Sequence, residues 1–335
     1  MAEVAPGSEE MVLEFLAEAA DDFVSGEAIS GKLGLSRAAV WKHVNALRGQ
    51  GYRIEAVPAR GYRLIAIPDR LGTLEIGPLL NTHDLGQTLH CSEELPSTND
   101  RARELADAGA VHGEVVIAEC QTAGRGRRGR AWSSPAGKNL YLSVILRPVL
   151  PPQRAPELTL VASVAACDAC RKAGVDAGIK WPNDLLVDGR KVAGILTELS
   201  AEADAVHWVI LGIGVNLNAA PEDFPAELHA VATSLSIERG QAVPRALFAA
   251  ALLSELEQWL DLHAAEGFGP IRDAWRARSV TLGREVRVDG DGGEIAGVAE
   301  DIDDSGALLV RGPGGLVRIV AGDVRLVGRV DPAGA

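Results

Sequence analysis

The seven residues GRGRRGR at 124–130 restrict the folds open to this chain more than any other stretch. Their context is AECQTAGRGRRGRAWSSPAGKNLYLSVILRP, with an apolar strand pattern running in and another running out. Gly124, Gly126 and Gly129 have the GxGxxG spacing of a dinucleotide-binding βαβ unit. That unit needs an amphipathic helix after the last glycine, and RAWSSPAGKNLYL does not provide one. The Walker A pattern G-x-x-x-x-G-K-[ST] is absent. An RGG-like RNA-binding tail belongs to a disordered segment, not to a position between two strands. What remains is an anion-binding loop on an α/β or α+β body. Its glycines let the backbone approach a ligand and change shape. Its arginines offer planar forks to phosphate or carboxylate. The loop is expected to order over a ligand that contains a nucleotide.

Residues 8–66 form a separate unit. Helical periodicity runs through EEMVLEFLAEAA, a short helix follows in SGEAISGKL with Ser25 as N-cap, and Gly34–Leu35 turn the chain. Ser36 caps the next helix, SRAAVWKHVNALRGQG, which Gly49 or Gly51 ends. Val40, Val44 and Leu47 form its buried stripe, leaving Arg37, Trp41, Lys42, Asn45 and Arg48 outward. Two strands, YRIEAV and YRLI, close the unit around the turn PARG. This succession describes a winged helix-turn-helix over 1–66. The chain carries a net charge of -13, so it does not coat nucleic acid all over. Between 25 and 66, however, Lys32, Arg37, Lys42, Arg48, Arg53, Arg60 and Arg63 face only Glu27 and Glu55, a local excess of five positive charges. Ser36, Arg37, Lys42, Asn45, Arg48 and Arg60 are the candidate DNA contacts.

Residues 67–75 read as a linker. From 76 to 280 helices and strands mix, with helical patterns at 98–108, 156–174 and 244–265, in a body large enough for one substantial core. Short alternating strands over 281–330 predict a small β-barrel. Cys167 and Cys170 have CxxC spacing, but VASVAACDACRKAG reads as helix and no second pair follows, so no metal site is expected. The acidic start MAEVAPGSEEM lacks a signal-peptide pattern and no apolar run is long enough to span a membrane, which predicts a cytoplasmic protein.

Three further segments carry chemistry. In IKWPNDLLVDGRKVAGILTEL, Lys180 and Lys191 flank a Pro-Asn-Asp turn, and a lysine among apolar neighbours can reach a phosphoryl oxygen as a compact charge. Asn183 and Asp184 serve equally as turn formers, and Gly194 marks close approach of a ligand or another backbone. In LPSTNDRARELADAG, Ser97 caps a helix, and Ser97, Thr98 and Asn99 present hydroxyls and an amide at its N-terminus. In LGIGVNLN an apolar strand ends in Asn216 and Asn218.

These segments, in this order, resemble the biotin–protein ligase family, also called biotin–[acetyl-CoA-carboxylase] ligases. The likeness rests on STN at 97–99, Q-x-A-GRGRRGR-x-W at 121–132, S-P-x-G-x-N-L-Y-L-S at 134–143, KWPND at 180–184, RK-x-AGIL-x-E at 190–198, G-I-G-x-N at 212–216 and ATSL at 232–235. With SGE…LGLSRAAVWKH ahead of them, the chain resembles the bifunctional type that is both ligase and biotin-operon repressor. The resemblance implies a catalytic domain of the biotin/lipoate ligase type, with a mixed sheet, and an SH3-like barrel behind it. It implies ATP with Mg2+ and biotin as substrates. Biotinyl-5′-AMP is then the intermediate, and a lysine of a biotin carboxyl carrier domain the acceptor. By matching motifs Lys191 is the first candidate for the lysine on the carboxylate and α-phosphate, Lys180 the second, and Arg127 assists. Ser97, Thr98, Asn99, Gln121, Arg125, Gly126, Arg127 and Lys191 are expected on biotin. Arg130, Trp132, Asn183, Asp184 and Asn216 are expected on the nucleotide. Operator DNA and an adenylate-dependent homodimer follow from the same resemblance. The alternatives are an active ligase whose winged helix no longer regulates, and a biotin-sensing regulator without turnover. Trp41 is a bulky residue on the expected DNA face, a departure that bears on the target sequence and not on the fold.

Overall fold

The computed structural model describes residues 7–19, 22–290 and 293–327. Residues 1–6, part of the segment read as lacking a signal peptide, and 328–330, the expected end of the barrel, lie outside these. The chain divides into two compact units at Arg70/Leu71.

The first unit contains α1 (Ser8–Glu18), α2 (Gly26–Leu33), α3 (Arg37–Gly49), β1 (Arg53–Val57) and β2 (Gly61–Ala66). Both caps read from the sequence are made: Ala28 N donates to Ser25 Oγ at 3.0 Å and Ala39 N to Ser36 Oγ at 3.1 Å. Val40, Val44 and Leu47 are fully buried against α1, whose Val12, Leu13 and Leu16 are buried too. Each such side chain contributes about 1.5–3 kcal/mol relative to exposure. The β1–β2 hairpin turns through Gly61, which must be glycine twice over. Its φ is +106°, and a Cβ there would lie 2.0 Å from Val24 O. That close approach lets Val24 and Tyr62 exchange both backbone hydrogen bonds at 2.8 Å, pinning the wing to the chain ahead of α2.

The second unit starts earlier than the sequence indicates. The expected linker 67–75 is cut short because Leu71 is buried and its N–H donates to Glu119 Oε1 at 2.8 Å. Glu119 also pairs with the buried Arg245 at 2.6 Å. Then α4 (Thr73–Ile76) packs Ile76 into the core. A seven-stranded mixed sheet follows in the spatial order β3-β4-β5-β9-β8-β7-β6. Its strands are β3 (Leu89–Leu95), β4 (Val115–Gln121), β5 (Leu140–Leu146), β6 (Gly178–Lys180), β7 (Asp184–Val187), β8 (Arg190–Ala201) and β9 (Val206–Val215). Only β3–β4 is parallel. The strand with its return through α5 (Thr98–Asp107) is the crossover that parallel pairing requires.

Period-2 alternation divides the sheet between two cores. Val115, Ile117, Leu140, Leu142, Val144 and Leu211 face α6 (Glu157–Lys172) and, after α7 (Leu235–Arg239), α8 (Arg245–Glu266) and α9 (Phe268–Arg278). Val116, Ile145 and Ile210 face Ala102 and Ala106 of α5. Cys167 and Cys170 are buried in α6, where desolvation pushes the Cys167 thiol up to about 12 and the Cys170 thiol up as well. The expected C-terminal β-unit is a five-stranded antiparallel sheet in the order β13-β12-β11-β10-β14, built from β10 (Glu285–Gly290), β11 (Gly293–Ile302), β12 (Leu308–Gly312), β13 (Gly315–Ile319) and β14 (Asp323–Leu326). It joins the mixed sheet through Trp181, whose Nε1 donates to Gly306 O at 3.0 Å and whose N donates to Thr281 Oγ1 at 2.9 Å. Among the described residues no helix is long and apolar enough to cross a membrane.

Candidate active site

Two recesses meet on the α5 face of the mixed sheet. The larger encloses about 610 Å³ beside the N-terminus of α5. The smaller, about 410 Å³, lies across Trp132 from it. Trp132, Ala131 and Lys191 line both.

The floor of the larger recess is made of glycines. In LGIGV, Leu211, Ile213 and Val215 point into the helical core while Gly212 and Gly214 face the recess. Gly214 pairs with Gly194 on β8. A Cβ on Gly214 would come within 2.7 Å of the Trp132 ring, and one on Gly194 within 3.1 Å. A Cβ on Gly212 would overlap Asn99 Oδ1 at 2.0 Å. What approaches Gly194 is therefore an indole, where the sequence indicated a ligand or a backbone. Alternation of apolar residues and glycines at period 2 was the available signal for this floor.

The polar end is tied together before any ligand arrives. Ser97 caps α5, accepting from Asp100 N at 3.4 Å. Thr98 N donates to Gln121 Oε1 at 2.8 Å, and Gln121 Nε2 donates to Ser134 Oγ at 3.0 Å. Asn99 Nδ2 donates to Glu198 Oε2 at 2.8 Å, and buried Ser143 Oγ lies 2.6 Å from Asn99 Oδ1. A network with each member satisfied fixes donors and acceptors in one arrangement.

The cationic end comes from the arginine-glycine loop and from Lys191. The loop closes as a narrow excursion, with Gly126 N to Arg130 O at 2.7 Å and Trp132 N to Gly124 O at 2.9 Å. Its tip puts Arg128 at φ +56° and Gly129 at +77°. Four basic side chains, Arg125, Arg127, Arg130 and Lys191, line the recess against one carboxylate, Asp184. Each already has an oxygen partner. Arg125 pairs with Asp100 at 2.7 Å and Glu198 at 3.3 Å. Arg130 reaches Asp323 of β14 at 3.1 Å, which Arg128 also meets at 3.5 Å. Among the described residues Arg127 has only neutral acceptors, Asn183 Oδ1 at 3.3 Å and Gly322 O at 3.2 Å. Burial lowers its pKa from the ordinary arginine value, against the pull of Asp323 and Asp184.

Lys191 stands where the recesses join. Its Nζ is 2.8 Å from Asp184 Oδ1 and 5.3 Å from the centroid of the Trp132 ring. Burial disfavours the Asp184 charge, but Lys191, Lys180 and Arg130 outweigh it and hold the carboxyl below its usual range. The backbone of Lys191 is clamped by the 231–233 segment, through Lys191 N to Val231 O at 2.7 Å and Thr233 N to Lys191 O at 2.9 Å. Thus ATSL positions the lysine. Lys180, the second candidate lysine, is buried on β6 and lines neither recess, and its charge acts on Asp184. Asn216 lines only the smaller recess, with Nδ2 donating to Thr233 O at 3.0 Å. Phe224, Leu228 and Val231, which sequence reasoning missed, complete its apolar wall. No spacing links them to the other motifs.

In the first unit, Ser36 is the α3 cap, and Arg37 and Lys42 are exposed. Arg48 is exposed but engaged within the unit, donating to Ile54 O through Nε at 3.0 Å and Nη2 at 2.7 Å, and through Nη1 to Asn45 Oδ1 at 3.4 Å. Arg60 lies over the Phe23 ring at 4.2 Å. Arg48, Asn45 and Arg60 thus make contacts within the unit, with Arg48 and Arg60 still exposed.

The chain matches three family profiles: an HTH domain over residues 9–63, the Biotin/lipoate A/B protein ligase family over 92–216, and the Biotin protein ligase C terminal domain over 281–327. It is 43% identical over 316 residues to the "Bifunctional ligase/repressor BirA" of Bacillus subtilis (strain 168), covering 94% of this chain and 97% of that protein. It is 43% identical over 232 residues to the "Biotin--[acetyl-CoA-carboxylase] ligase" of Paracoccus denitrificans, covering 68% of this chain and 96% of that one. The solved structure of the biotin protein ligase from Aquifex aeolicus in complex with biotin and ATP superposes with a TM-score of 0.62 at 29% identity, over 71% of this chain and 98% of the other.

Proposed function

The chain belongs to the family of bifunctional biotin–protein ligases and repressors, and from that premise we propose that it joins biotin to ATP, passes the biotinyl group to a carrier lysine, and represses genes through its N-terminal unit. The observation that carries the catalytic reading is Lys191 on the boundary between a polar recess and an apolar one. The larger recess takes biotin, its ureido ring among Ser97, Thr98, Asn99 and Gln121. The smaller takes the purine, against Trp132, Phe224 and Val231. The carboxylate of one substrate and the α-phosphate of the other then meet at Lys191.

A biotin carboxylate oxygen attacks the α-phosphorus, the bond to the bridging oxygen breaks, and pyrophosphate leaves. Two anions must come together for this. Lys191, Arg127, Arg125 and Arg130 offset that repulsion in a site where Asp184 is the one acid lining the recess. Magnesium comes as the ATP complex, held mainly by phosphate oxygens, with Asp184 the lining residue of the right chemistry to assist. Arg127, with only neutral partners, is the loop arginine most easily turned onto the adenylate. The loop then keeps water off the acyl phosphate. The amine of a carrier lysine attacks the acyl carbon, AMP departs, and the amide forms with loss of a proton. A sensor without turnover needs no lysine on that boundary. ATP and DNA as ligands imply work in the cytoplasm.

Purified protein is expected to release pyrophosphate from ATP only when biotin is present, and to biotinylate an added carrier domain. Absence of release with both substrates would sink the ligase reading. For regulation, biotin with ATP is expected to drive dimerisation and binding to a two-fold operator. A gel shift indifferent to the adenylate at moderate salt would count against it.

A further inference from the structure

The chain has six tryptophans, three tyrosines and five phenylalanines, and each lies among the described residues. Thirteen of these fourteen side chains are buried or partly buried; the exception is Trp41 on α3, 61% exposed. An exposed indole offers a rigid apolar face with one polar handle, the kind of side chain enriched at contact surfaces. Its neighbours narrow the partner. Arg48 donates to Asn45 Oδ1 and to Ile54 O, and Arg60 covers Phe23. Arg37 and Lys42 make no hydrogen bond or ion pair among the described residues, and both are exposed. The outward surface of α3 thus presents one indole beside two cations without a partner among the described residues, in the stretch 25–66 where basic residues outnumber acidic ones by five.

We propose that Trp41 is the base-reading side chain of this unit and that it packs against thymine C5-methyl groups in the major groove of duplex DNA. This rests on the repressor reading above and names what the repressor reads. The chemistry of the groups decides between bases. An indole has a single N–H donor and no acceptor, so it cannot form the bidentate pairs that identify guanine or adenine. The apolar feature that the major groove offers is the thymine methyl. Arginine is the common guanine reader, and of the two arginines on α3 Arg48, though exposed, has its guanidinium on Ile54 O and Asn45 Oδ1. Arg37 and Lys42 remain for phosphates, which fix register without carrying sequence.

The test uses the full chain with biotin and MgATP. Duplexes with a randomised core are selected for binding, and each thymine of the selected site is replaced singly by deoxyuridine, which removes only the methyl. The expected result is one thymine position per half-site at which deoxyuridine weakens binding about tenfold. Trp41→Ala should lose a similar factor on the thymine site and become indifferent to the replacement, while biotin-dependent pyrophosphate release stays unchanged. Trp41→Leu, which keeps an apolar surface, should retain part of the discrimination. Unchanged affinity and unchanged deoxyuridine sensitivity in Trp41→Ala would overturn the proposal, as would half-sites fixed by guanine with no required thymine. If Trp41→Ala instead abolishes adenylate-driven dimerisation without DNA, the indole serves a second copy and the proposal fails. If the unmodified protein retains no duplex even at low salt, the repressor reading falls, and this one with it.

Discussion

At the scale of single residues, the site depends on what sits against Trp132. Lys191→Ala removes the cation at the junction of the recesses and leaves the Asp184 carboxylate without the partner 2.8 Å away. Biotin-dependent pyrophosphate release is expected to fall roughly 100- to 1,000-fold in kcat, the size of effect seen when one preorganised group at a developing charge is lost. Gly214→Ala tests the floor. Its Cβ would press on the indole from 2.7 Å, so affinity for biotinyl-AMP, measured by titration, should drop about tenfold or more, as overpacking does. Arg127→Gly should release the adenylate, seen as untargeted labelling of bystander proteins. Unchanged retention would make Arg127 a structural cation only. The sequence already pointed to Lys191 and to the loop arginines, because charge beside glycine and apolar residues is a local pattern. Burial of Lys180 and the bonding of Arg48 within its own unit were not legible. Each depends on a partner brought by the fold, Asp184 across a hairpin for one and the Ile54 carbonyl for the other.

Among the elements, the loop and the C-terminal sheet stabilise each other. Asp323 on β14 is the carboxylate beneath Arg128 and Arg130. Asp323→Asn should loosen the loop and shorten the half-life of bound adenylate, while Asp323→Glu preserves it; an unchanged half-life in the first variant would leave Asp323 with no part in retention. Asp303 holds the turn between β11 and β12. Its carboxylate accepts from Ser305 N at 2.9 Å and Ala307 N at 3.0 Å and pairs with Arg318. Burial opposes its charge, but the Arg318 and Ser305 bonds prevail and draw its pKa down to about 2. A carboxyl lowered from an unfolded value near 3.9 stabilises the fold fully above about pH 4, and loses that contribution as pH falls through about 2. Asp303→Asn should therefore cost about 2 kcal/mol near neutral pH, with the gap in melting temperature narrowing between about pH 4 and pH 2. A gap independent of pH would assign the loss to packing. The elements themselves were mostly legible. The strands, three long helices and winged unit follow from period 2, period 3.6 and capping residues. What the pattern did not give was strand order, since the place of β9 between β5 and β8 is a matter of long-range pairing.

For the whole molecule, charge is divided between tasks. A net -13 keeps the chain from holding nucleic acid indiscriminately, and a local excess of positive charge lies in the stretch 25–66. Operator binding should weaken steeply as salt rises, with a log–log slope of about -0.9 for each phosphate neutralised. Adenylate synthesis should respond little over the same range, because its cations are paired within a recess and less open to screening. Equal salt sensitivity of the two activities would contradict this division. The linker boundary was misjudged for a related reason: Leu71 looks like a connector until Glu119 and Arg245 are seen beside it. Finally, Arg127 takes Gly322 as a partner 195 residues further along the chain. A ribosome adding roughly 5–20 residues per second needs on the order of 10–40 s to reach that glycine after the loop has been made. The loop is thus synthesised well before its partner, and the Arg127–Gly322 contact can form only once translation has reached the final strand.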